Sequence, residues 1–235
     1  MDEPTIVSRD EWLAARKDLL AKEKAFTRQR DDLTRQRQQM PWVRVDKDYI
    51  FEGTGGPVAL ADLFDGRSQL IVYHFMYGPD WEVGCKACSF LTDHFDPAVV
   101  HLNHRDVSMV AVSRAPVATL EKFKARMGWA FTWVSSLGND FNRDYHVSFT
   151  QEELDSGSVY YNYRMTEFPA SEAPGASVFY KNDAGEIFHT YSAYQRGLDM
   201  FITAYHWLDI VPKGRDEAEL PFTMAWVRHH DDYEG

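Results

Sequence analysis

Apolar residues near the start of the chain recur at Trp12, Leu19, Phe26, Leu33 and Met40, a spacing of seven, and Leu13 and Leu20 widen the stripe in its first half. That period is helical. Ser8 followed by Glu11 fits a capping box and Pro41 supplies a stop beyond Gln39, so one long helix is expected here. Its intervening positions, among them Arg16, Lys22, Gln29 and Gln36, are polar. The narrow seam therefore suits a second subunit or another domain, and a homodimer through this helix is the partner expected from it.

Beyond Pro41 the pattern changes. Val43 to Glu52 alternates as a strand does, and Gly53 to Pro57 is turn chemistry. A short helical segment at Leu60–Phe64 and a turn at Asp65-Gly66 lead into Leu70–Met76, a branched and aromatic run that reads as a buried strand. A second helix is expected from about Cys85, with Phe90, Leu91 and Phe95 on its apolar face and Asp96-Pro97 as an interruption. Val107–Val112 reads as the next strand, parallel to the first because a helix crosses between them. Ala118–Met127 is helical in period and Phe131–Val134 is a further strand.

Asn139–Ala173 shows no sustained period and is too long for an ordinary connection, so it is expected to be an insertion. Ser177–Tyr180 and Glu186–Tyr191 form a hairpin about Asn182-Asp183-Ala184-Gly185. Leu198 to Asp209 then frames a helix. The expected organisation is an N-terminal helical extension over residues 1–41, an α/β domain over 42–212 with its insertion near 139–173, and a C-terminal tail over 213–235.

Composition narrows the class. The 235 residues are 44% hydrophobic and 14% aromatic, enough for a substantial core in one domain, and the net charge of −11 argues against nucleic acid or an anionic membrane as partner. The start, MDEPTIVSRDEW, has no apolar signal core, and no apolar run approaches a membrane span. A cytoplasmic protein is expected.

The chain has two cysteines, Cys85 and Cys88, in the stretch LIVYHFMYGPDWEVGCKACSFL. In a reducing compartment such a pair is catalytic or metal-binding more often than structural. At a helix start, Cys85 would meet unpaired N–H groups and the positive end of the helix dipole, which favour thiolate. Lys86 adds to that effect, while Asp80 and Glu82 oppose it. Cys88, one turn on, stands where a resolving thiol would. Trp81 is placed to cover the pair, or simply to pack over the helix start.

The order of strand, helix with Cys-x-x-Cys, strand, helix, hairpin and helix resembles the thioredoxin fold. The segments VSRDEWLAARKDLLAKEKAFTRQRDDL, LADLFDGRSQLIVYHFMYGPDWEVGCKACSF and TYSAYQRGLDMFITAYHWLDIVPKGRDE, with the tail AWVRHHDDY, are similar to a bacterial thioredoxin-like family catalogued as domain of unknown function 899. The resemblance implies an α/β thioredoxin-like fold, a central mixed sheet flanked by helices, and a thiol–disulfide oxidoreductase that needs no cofactor. Its partners would be a disulfide-containing protein or small thiol substrate and an external dithiol reductant. Cys85 would be the nucleophile and Cys88 the resolving thiol. His74 lies on the strand where thioredoxins carry a buried acid, so it is either the proton acceptor for Cys88 or a core histidine satisfied by a hydrogen bond. Pro174 stands at about the interval where thioredoxins place a cis-proline beside the site, and with Trp81 and Lys86 it is expected to contact substrate.

Three other functions compete. The fold could serve as a non-catalytic binding module with incidental thiols. The cysteines could hold zinc with His229 or His230, although no second paired motif is present. His229-His230-Asp231 otherwise reads as a hydrated tail. The Pro-x-x-x-Thr-x-x-Cys pattern of peroxiredoxins is absent: Glu82 and Gly78 stand three and seven residues before Cys85, and Cys85 and Trp81 stand at those intervals before Cys88.

Overall fold

A computed structural model describes residues 4–234, and the chain divides into two compact units, one up to Pro41 and one from Trp42 onward. The first unit is built on α1 (Arg9–Gln38). The Ser8 hydroxyl accepts from the Glu11 N–H at 3.3 Å, and the Glu11 carboxylate accepts from the Ser8 N–H at 2.9 Å. These reciprocal bonds satisfy two of the donors that a helix start leaves open.

The second unit begins with β1 (Val43–Arg44), β2 (Ile50–Gly53) and β3 (Gly56–Ala59), followed by a 3-10 turn and β4 (Gln69–His74). Next come α2 (Lys86–Phe95), α3 (Val99–Asn103), β5 (Val107–Ser113), α4 (Val117–Met127) and β6 (Thr132–Ser135). Then follow α5 (Phe141–Asp144), α6 (Gln151–Asp155), β7 (Val159–Tyr161), β8 (Arg164–Thr166), β9 (Gly175–Lys181), β10 (Ile187–Tyr194) and α7 (Thr203–Leu208).

Eight of these strands form one sheet in the order β1-β10-β9-β4-β5-β6-β2-β3. β4, β5 and β6 run parallel; on the other side of β4, β9 pairs with it antiparallel, and β10 pairs antiparallel with β9. The inner part, β5-β4-β9-β10 with α2 crossing from β4 to β5, is the thioredoxin-like arrangement. β4 lies at its centre and is covered on both faces, which explains its nearly continuous apolar run.

The two faces of β4 have different neighbours. Leu70 and Val72 enter a core with Phe64, Val112, Phe141 and Phe179, whereas Tyr73 joins Phe75, Cys88, Leu91, Phe123 and Trp133 on the side of α2. Each large apolar side chain removed from water in this way stabilises the fold by roughly 1.5–3 kcal/mol before entropy is counted.

Several expectations change. The strand read over Val43–Glu52 is two strands, β1 and β2, in different parts of the sheet. Asn139–Ala173 contains α5, α6 and the β7–β8 hairpin, whose turn puts Asn162 and Tyr163 at φ of 50° and 64°. Those short elements fall below the length at which a period can be read. The helix expected from Leu198 is a 3-10 segment, Gln195–Phe201, and then α7; Ile202 between them, at φ −99° and ψ 90°, is not helical.

Candidate active site

The loop from Phe75 to Gly84 leaves the end of β4 and delivers Cys85 to the start of α2. Gly84 permits this, since a Cβ there would lie 2.8 Å from Phe75 and 2.9 Å from Phe123. The Cys85 N–H donates to the Met76 carbonyl at 3.1 Å, and the Cys85 carbonyl accepts from the Ser89 amide and hydroxyl, both at 2.9 Å. Cys85 is thus the N-cap of α2, half-buried, and Cys88 lies buried beneath it; both are free thiols.

Their environments separate the two sulfurs. The Cys88 thiol donates to Cys85, and with the N–H groups of Cys88 and Ala87 it draws the Cys85 pKa down to about 7 against the opposing effect of burial. Burial pushes Cys88 well above the ordinary thiol value, and its hydrogen bond to Cys85 works in the same direction. The Met76 N–H, 3.4 Å from Cys88 Sγ, and the Tyr73 hydroxyl act the other way. Tyr73 is the side chain that sequence reasoning missed. Its position is two before Phe75 on the same strand face, but only the packing of α2 shows which face that is.

His74 lies elsewhere. It points to the opposite face of β4, against Phe141 and Tyr145, with Nε2 2.9 Å from Ser177 Oγ. Burial, reinforced by His189, lowers its pKa to about 3, so it is a weak base with no line to Cys88. The expectation that His74 accepts the Cys88 proton is corrected by this alternation of side chains along the strand. It is part of a buried chain that continues from Ser177 to Ser192 at 2.8 Å and from Ser192 to His189 at 2.7 Å.

Both cysteines line a cleft of about 770 Å³, Cys88 from its buried position. Pro174 lines it, with its carbonyl accepting from the Tyr161 hydroxyl at 2.6 Å. No cis peptide bond occurs among the described residues, so Pro174 is trans. Trp81 and Lys86 do not line the cleft: Trp81 is half-buried over Gly78, and Lys86 is exposed on the first turn of α2.

The far wall comes from the end of the chain. Arg215 grips Asp209 with two bonds of 2.7 and 2.8 Å, reaches Asp199 at 3.0 Å and stacks 3.8 Å above the Tyr205 ring. Glu217 accepts from Tyr205 at 2.9 Å, the Met224 amide at 3.0 Å and the Trp226 indole at 2.7 Å. Burial opposes its ionisation, yet these donors hold its carboxyl below the usual range. The segment expected to be a hydrated tail is folded down instead. His229 is buried, with Nε2 donating to the Gly84 carbonyl at 2.9 Å, and His230 Nδ1 lies 2.8 Å from Asp93. Among the described residues no three His, Cys, Asp or Glu side chains converge as a metal site.

Strand order, the crossing helix and a dithiol at that helix start define a thioredoxin-like protein. Over residues 1–233 the chain matches the family described as a bacterial protein of unknown function (DUF899), and it belongs to that family. No curated protein matches it. Among solved structures it is similar to Xanthomonas campestris peroxiredoxin Q, at 16% identity and a TM-score of 0.44 over 66% of this chain and 87% of that one. It is also similar to peroxidoxin BcpB of Mycobacterium tuberculosis, at 12% identity and a TM-score of 0.41 over 70% and 94% of the two chains. A Chlorobium tepidum structure described as a thiol:disulfide interchange protein DsbE aligns at 15% identity and a TM-score of 0.40, over 71% and 98%. No helix among the described residues is long and apolar enough to cross a membrane.

Proposed function

We propose that this protein is a thiol–disulfide oxidoreductase that works through Cys85 and Cys88. The observation that carries the reading is the placement of the two sulfurs: Cys85 stands half-buried at the start of α2 on the wall of the cleft, where it is drawn down to about 7, and Cys88 lies buried one turn further in, where it is pushed up. A nucleophile is most effective when its pKa lies near the ambient pH, and a resolving thiol need only ionise once the mixed disulfide is in place.

In the first step the Cys85 thiolate attacks one sulfur of a substrate disulfide. The substrate S–S bond breaks, one thiolate departs, and a mixed disulfide joins Cys85 to the remainder. Cys88 then gives up its proton through solvent to the departed substrate thiolate, with the Tyr73 hydroxyl and the Met76 N–H stabilising the sulfur charge, and attacks Cys85 Sγ, breaking the Cys85–substrate S–S bond. The second substrate thiolate leaves. Two electrons have passed to the substrate, and a Cys85–Cys88 disulfide remains for an external dithiol to reduce.

The deciding experiment is mass-shift alkylation of the pair across defined dithiol redox buffers. A reversible two-electron transition is expected; a value near the thioredoxin level of about −270 mV marks a reductase, and one near −120 mV marks an oxidant. If no intramolecular disulfide forms at any poise, the proposal is wrong.

A further inference from the structure

Resting on that dithiol reading, we infer that the substrate is a low-molecular-weight organic disulfide, neutral or cationic, that enters the cleft beside Cys85. The flanks of α2 are covered by the chain itself. On one side the Ala204 amide donates to His94 Nε2 at 3.0 Å, and Phe90 packs edge-on against Tyr205 and Trp226. On the other, His229 holds the Gly84 carbonyl and packs edge-on against Phe123, while Arg126 binds Asp231 at 2.7 and 2.8 Å. A folded protein that laid a loop across the helix would have to displace these segments. A cleft of about 770 Å³ lies instead in the size range of small-molecule sites.

The cleft has both an apolar and a charged lining. Met76, Leu91, Leu198 and Ile202 give it apolar walls, whereas its charged lining is two guanidiniums, Arg196 and Arg215, against three carboxylates, Asp199, Asp209 and Glu217. Arg215 is engaged by Asp209 and Asp199, and Arg196 by Asp199 at 3.0 Å. The excess of carboxylate in a chain of net charge −11 disfavours anionic substrates. The reaction is RS–SR plus the reduced pair giving two RSH plus the Cys85–Cys88 disulfide, so the substrate gains the two electrons that the dithiol loses.

The test mixes pre-reduced, desalted protein with hydroxyethyl disulfide (neutral), cystamine (cationic), oxidised glutathione (anionic) or insulin. Each second-order rate of dithiol oxidation, read by quenching with an alkylating agent and mass analysis, is divided by the rate of the same disulfide with a free thiolate. Hydroxyethyl disulfide and cystamine are expected to exceed oxidised glutathione by about tenfold. They should exceed insulin by about a hundredfold if the cleft is the route of entry. Thr223→Trp, at an exposed position on the cleft wall, should slow the small disulfides about tenfold with the potential of the pair unchanged. Arg196→Glu, on an exposed side chain, should widen the gap between cystamine and oxidised glutathione. Insulin matching the small disulfides, oxidised glutathione leading them, or neither variant altering the rates would overturn the inference while leaving the dithiol reading in place. Failure of every disulfide to produce the Cys85–Cys88 bond would remove both.

Discussion

His229 and Gly84 are 145 residues apart in the chain, and the imidazole Nε2 lies 2.9 Å from the glycine carbonyl. The bond ties the C-terminal segment to the residue that immediately precedes Cys85. His229 is buried, and its Nδ1 lies 3.1 Å from the Asp232 carboxylate. Replacing it by alanine leaves a buried carbonyl without its donor, which costs about 1–3 kcal/mol. His229→Ala is therefore expected to lower the urea midpoint and to expose residues near Ala225–Asp232 to limited proteolysis. An unchanged midpoint and digestion pattern would show that the segment is not held in this way.

The two cysteines should fail differently. Cys85→Ala removes the attacking sulfur and is expected to abolish exchange. Cys88→Ala leaves attack intact but removes the resolving sulfur, so a mixed disulfide with substrate should accumulate and appear as a mass increment. Normal turnover in both variants would contradict the assigned order.

The pH dependence follows from Cys85. Its pKa is lowered to about 7, so the thiolate dominates above that pH and is lost as pH falls through it. Alkylation of Cys85 is expected to rise with a midpoint near pH 7 and to fall about tenfold per unit on the acid side. In Cys88→Ala the largest stabilising donor is gone, and the midpoint should move upward. A midpoint at the ordinary thiol value in the native chain would refute the assigned environment.

Tyr73 and His74 are neighbours in sequence and lie on opposite faces of β4, which makes them a matched test. Tyr73→Phe removes the hydroxyl beside Cys88 and should prolong the mixed disulfide without altering the alkylation of Cys85. His74→Phe should leave both reactions unchanged and reduce stability, because it leaves Ser177 without its 2.9 Å partner. The reverse pattern in single-turnover traces would return His74 to the chemistry.

This pair also shows what could be read from the residues alone. The Leu70–Met76 run announces a buried strand because a central strand must be apolar on both faces, and Ser8 with Glu11 announces a helix start because two donors there need oxygen partners. Alternation separates Tyr73 from His74, but it does not say which of them faces α2; that depends on how the crossing helix packs. The C-terminal segment is harder still. It is held by Glu217, His229, His230 and Asp231 through bonds to residues far away in sequence or in irregular turns, and such bonds leave no period.

The N-terminal unit carries a prediction of its own. On α1, Trp12, Leu19, Phe26 and Leu33 recur every seven residues, Met40 continues the spacing just past the helix end, and each is between 46% and 66% exposed. A seven-residue period keeps one narrow line of a helix facing a partner, and a second α1 offers the same line in return. Self-association is the expected result, with a dimer in sedimentation at micromolar concentration. Phe26→Glu places a charge at the most exposed point of that line and should shift the equilibrium to monomer, while the potential of Cys85 and Cys88 stays the same. A native chain that sediments as a monomer at high concentration would show that this stripe is not a self-association seam.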